Sequence, residues 1–126
     1  LETAYDKAVA VLRAHGYFTG TRQRRFHVTL MLAAECALAT GRATEALDFA
    51  RGALTNAMRD SLSEKRSAFV GEARLVEARA LLATGDTIAA REAIQRALPP
   101  LRVGAGVENP RTREADALIK LLMPVN

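Results

Sequence analysis

The stretch TRQRRFH (21–27) sets Arg22, Arg24, Arg25 and His27 around Phe26. Arginine presents a planar, permanently charged fork to phosphate or carboxylate, so this segment suits an acidic ligand. The plainer reading is a solvated helix start with Phe26 tucked into a core, although arginines at a helix N-terminus oppose the macrodipole. His15 and His27 stand apart, with no carboxylates at a spacing that suggests a metal site or a proton relay. Cys36 is the single cysteine. That excludes an internal disulfide and any multi-cysteine metal site, and its place on an Ala-rich face reads as an inert buried thiol. GVENPRT (106–112) carries glycine but lacks the Lys-Ser/Thr ending and preceding strand of a phosphate loop. No nucleophile–base pair emerges, and the chain reads as a non-enzyme without a cofactor or metal.

The elements that must carry these residues are written twice. ALATGRATEAL (37–47) returns as LLATGDTIAAR (81–91), 44 positions on. Aligning 32–54 with 76–98 gives eight identities in 23 positions, including Ala34/Ala78, Gly41/Gly85, Ala46/Ala90, Ala53/Ala97 and Leu54/Leu98. Leu30, Ala33, Ala34, Ala37 and Leu38 recur at helical spacing. Gly41 follows as a helix terminator, because glycine tolerates the left-handed backbone after a C-cap. Ala46, Ala50, Ala53 and Leu54 then resume the spacing on a second helix. The same phrase holds for Ala78, Leu81 and Leu82, then Gly85, then Ala90, Ile94, Ala97 and Leu98. Alanines near each turn let two helices approach closely.

Helices are expected over 1–14, 21–40, 43–59, 62–84 and 86–98, with a last one after Asn109-Pro110. Ser61 and Glu64 form a capping box for the fourth, and Asp86 caps the fifth. Pro99-Pro100 should end or bend that helix. Asn109 and Pro110 suit the N-cap and first turn of the last helix, which carries Ala115, Leu118, Ile119 and Leu122 on one face. No window alternates like a strand.

The length, 126 residues, suits one domain. With 25 Ala and no Trp, the core must be built from small aliphatic side chains. The net charge of +4 rests on 15 Arg and 3 Lys. No apolar run approaches the roughly 18–20 residues of a membrane span, and no signal peptide is visible. A chain that opens at Leu1 inside a helical pattern reads as a piece of a longer protein, expected in the cytoplasm.

These residues resemble the tetratricopeptide repeat. The small Ala34 and Ala78, Gly41 and Gly85, Ala46 and Ala90, and the Ala-Leu pairs at 53–54 and 97–98 match its signature. Leu30 and Arg74 replace a common Trp, and Ala50 and Ile94 a common Tyr or Phe. The 44-residue period is similar to the long, kinesin-light-chain type, and GVENPRT resembles that subtype's Gly-x-x-His-Pro linker with Asn109 in place of His. The resemblance implies an all-α, right-handed superhelix of antiparallel helix pairs with about six helices. It divides the chain into a half repeat (1–16), two repeats (21–60 and 62–102) and a terminal helix (109–123). Repeats of this kind resemble helical arrays attached to bacterial signalling proteins, including Ser/Thr protein kinases and transcriptional activators.

In such an array the first helix of each pair lines a concave side that binds a peptide or protein. The positions carried across are Val28, Met31, Glu35, Leu38 and Ala39 in one repeat, and Glu72, Leu75, Arg79, Leu82 and Ala83 in the other. Glu35, Glu72 and Arg79 become polar readers, and Met31 and Leu75 an apolar floor. The plainer alternative pairs Glu35 with Arg79 as a solvated salt bridge worth about 0–1 kcal/mol. The expected partner is a peptide, a protein or another domain of the same chain. Nucleic acid is disfavoured, because acidic residues interleave with the basic ones and few aromatics are present to stack bases. A spacer or homodimer formed through an exposed end helix is a further reading.

Overall fold

The computed structural model describes Lys7 and residues 23–60 and 67–123. The described residues are helical, without strands. We label the helices α1 (Gln23–Ala39), α2 (Ala43–Asp60), α3 (Ala68–Ala83), α4 (Thr87–Pro100) and α5 (Pro110–Leu122), with a π-helical turn, Leu101–Ala105, between α4 and α5. Apart from Lys7, the expected half repeat 1–16 lies outside the described residues, as does the Ser61–Glu64 capping box. α3 begins at Ala68, capped by the Ser67 hydroxyl, which accepts from the Val70 N–H.

The two glycine turns are the same object. Gly41 and Gly85 have φ of 77° and 91°. The Gly41 N–H donates to the Leu38 carbonyl and the Arg42 N–H to that of Ala37. Gly85 and Asp86 repeat both bonds to Leu82 and Leu81. This crossed pair closes a helix C-terminus by satisfying carbonyls that have run out of intrahelical donors. The Thr40 hydroxyl donates to the Cys36 carbonyl, and the Thr84 hydroxyl to that of Leu81, which it shares with the Asp86 N–H. Each turn sends the chain back along the helix it has just left, so α1 packs on α2 and α3 on α4 as hairpins, and α2 packs on α3 to join them.

The alanines shared by the repeats lie in the seams. Ala34, Ala46 and Ala53, and their counterparts Ala78, Ala90 and Ala97, are all fully buried. One apolar cluster joins α1, α2 and one face of α3 through Leu30, Phe49, Val70 and Val76. A second joins α3, α4, the π turn and α5 through Leu75, Ile94, Leu101 and Ala115.

α4 ends at Pro100, two residues beyond the expected Leu98, and the π turn follows directly. The helix runs through both prolines, and the Gly106 N–H closes the π turn on the Leu101 carbonyl. The prolines have no N–H to offer the carbonyls of Gln95 and Arg96, and both residues are exposed. Gly71 shapes this region. A Cβ there would lie 2.7 Å from Leu101 Cγ and 2.9 Å from its backbone nitrogen. Its missing side chain therefore lets α3 touch the π turn. Asn109 then starts α5, its side-chain oxygen accepting from the Arg111 N–H. Among the described residues, no helix is long and apolar enough to cross a membrane.

Candidate functional site

The first helix of each hairpin shares one side of the molecule with the start of α5. There α1 and α3 touch, as do α3 and α5. An open cleft of about 370 Å³ lies on this side, lined by His27, Val28, Met31, Leu32, Glu35, Phe69, Glu72 and Arg111. Val28 and Leu32 are one helical turn apart on α1 and remain 61% and 52% exposed. Two large apolar side chains left open beside a polar rim form a surface that gains from being covered.

At one end of the cleft, His27 is 3% exposed. Its Nε2 lies 3.3 Å from Glu72 Oε1, and its ring stacks on Phe69 with centroids 4.4 Å apart. Its Nδ1 is buried without a hydrogen-bond partner. At the other end, Glu35 Oε1 accepts from Arg79 Nη1 at 2.6 Å and Arg111 Nη1 at 3.2 Å. Glu114 lies within 3.6 Å of Arg79 Nε and 3.7 Å of Arg111 Nη1. Two cations and two anions from α1, α3 and α5 thus balance in a half-buried network. Its members are mutually compensated, so it costs less to desolvate than isolated charges would.

The structure brings together Val28, Met31, Glu35 and Glu72, with Arg79 in the network alongside. It does not bring Leu75 to the cleft. Expected beside Met31 as floor, Leu75 is fully buried in the second cluster, where α4, the π turn and α5 cover the far side of α3. Glu35 and Arg79 do pair across helices, and Arg111 joins them. Arg22 lies outside the described residues. Arg24 and Arg25 belong to the first turn of α1, and their side chains lie outside the described part. Cys36 is buried. Sequence reasoning missed Leu32, Phe69, Arg111 and Glu114, and the pairing of His27 with Glu72. Arg111 alone left a signal, since an N-capping Asn-Pro places it in the first turn of a helix that must pack on the preceding hairpin.

Elsewhere, Arg51 pairs with Glu77 across α2 and α3 at 3.3 Å, beside a smaller polar hollow of about 160 Å³ that Glu92 and Arg96 help to line. On the exposed surface Arg102 pairs with Asp116, and Arg113 with Glu108. Among the described residues, no group of three or more His, Cys, Asp or Glu side chains is arranged to hold a metal ion. Compared with models of known families, with curated proteins and with solved structures, the chain matches none.

Proposed function

We propose that this chain is a non-catalytic docking module of tetratricopeptide-like helical hairpins, part of a larger cytoplasmic regulatory protein. Its partner is a peptide or protein segment, or another domain of its own chain. One observation carries the reading: the α1–α3 cleft leaves Val28 and Leu32 open between two anchored polar ends. The identical glycine turns 44 residues apart and the buried alanine seams support the repeat architecture. Side chains held by ion pairs and ring stacking lose little further freedom when a ligand arrives, which lowers the ordering cost of binding.

The charge distribution favours a protein partner over nucleic acid. Arg51, Arg79, Arg102 and Arg113 each face a carboxylate within 4.0 Å, whereas phosphate backbones draw on uncompensated cations. Peptides selected by display against the whole chain, followed by mapping of backbone amide shifts, test the proposal. Shifts should centre on Val28, Leu32, Glu72 and Arg111, and Leu32→Asp should abolish them. Shifts centred on Arg51, Glu92 and Arg96 would refute it.

A further inference from the structure

We infer that the cleft reads an extended segment in which a basic and an acidic side chain, four residues apart, flank an apolar one. This rests on the docking-module reading and specifies its ligand. The two ends of the cleft offer opposite chemistry. At the His27 end, Glu72 pairs with His27 among the described residues, and its second carboxylate oxygen carries no hydrogen bond among them. A lysine or arginine side chain donates to that oxygen and brings a charge opposite to that of Glu72.

At the opposite end, Arg111 contributes Nη1 to Glu35. Its Nε and Nη2 carry no hydrogen bond among the described residues and remain able to grip a carboxylate in the bidentate fashion open to a guanidinium. Between the ends lie Val28, Met31 and Leu32.

The spacing is set by α1. His27 and Glu35 are eight residues apart, about 12 Å at the helical rise. An extended chain covers that span in about four residues and sends every second side chain to the same side. Positions i, i+2 and i+4 therefore meet the cleft together as basic, apolar and acidic residues, or as the reverse order if the chain runs the other way.

The test titrates the full chain with synthetic SKSLSES and SESLSKS, following amide shifts and affinity. One of the two should bind with shifts at Val28, Leu32, Glu72 and Arg111. Replacing its Lys or its Glu by Gln should weaken binding at least about ten-fold, and replacing its Leu by Ser should abolish it. Glu72→Lys should transfer the preference to SESLSES, a gain that simple damage to the fold cannot produce; circular dichroism checks that the variant is folded. Equal binding of SQSLSQS would overturn the charge reading and leave the docking module standing. Failure of every probe in the cleft, while display-selected peptides bind there, would likewise overturn only the ligand class. Concentration-dependent dimerisation abolished by Leu32→Asp would overturn it too, by making a second copy the occupant.

Discussion

Replacing Gly71 by alanine sets two effects of opposite sign against each other. In the interior of α3, alanine is the better helix former by about 1 kcal/mol. Against this, the new methyl would stand 2.7 Å from Leu101 Cγ, 2.9 Å from Leu101 N and 3.0 Å from Leu101 Cδ2. A flexible side-chain end could swing away; a backbone nitrogen cannot. Leu101 is fully buried, and its N–H bonds the carbonyls of Ala97 and Leu98. Overpacking a filled core costs about 1–3 kcal/mol, and a clash that includes backbone belongs at the upper end. The net expectation is a loss of about 1–2 kcal/mol, or roughly 4–8 °C in Tm for a chain of this length. Thermal denaturation followed by circular dichroism reads it. In a Leu101→Ala background, which removes Cγ and Cδ2, the cost of Gly71→Ala should shrink by about 1 kcal/mol, because residues in contact do not act additively. An unchanged or raised Tm for Gly71→Ala would show that α3 and the π turn do not touch as described. The placement of α5, and of Arg111 with it, would then lose its support.

Three further outcomes are expected. Gly41→Ala and Gly85→Ala should each cost about 1–2 kcal/mol by urea denaturation, since both force an alanine into the left-handed region; a large difference between them would deny that the turns are equivalent. Asn109→Ala should cost about 0.5–2 kcal/mol by loss of the N-cap and should also weaken cleft binding by loosening Arg111, whereas an effect on stability alone would separate the cap from the site. Glu35→Gln should lower stability by about 1 kcal/mol or less at low salt, and by less still at high salt as the network is screened; an equal loss at both ionic strengths would mean that Glu35 acts through packing.

The helices of the described residues and their two glycine turns were legible in the sequence because local rules govern them. Periodicity assigns a buried face within one helix. Glycine at 41 and 85 marks a C-terminus because only the neighbouring turn decides which carbonyls need donors. The recurrence of Ala34, Ala46 and Ala53 at 78, 90 and 97 disclosed the seams for the same reason, since close approach requires a small side chain wherever it recurs. The inversion of charge between Glu35 and Arg79 already pointed to their pairing. The proline rule placed the end of α4 to within two residues, since α4 closes at Pro100; the π turn that follows it was not legible, because it depends on the contact of Leu101 with Gly71 on α3.

Only the tertiary structure decided the cleft. His27 meets Glu72 across 45 residues, and Arg111 meets Glu35 across 76; no spacing rule relates such positions. Met31 and Leu75 stand 44 positions apart on the first helices of the two hairpins, yet one borders the cleft and the other is sealed by the π turn and α5. Similar local codes acquire different surroundings because each hairpin is covered by a different neighbour, and that covering is fixed by the packing of the described helices.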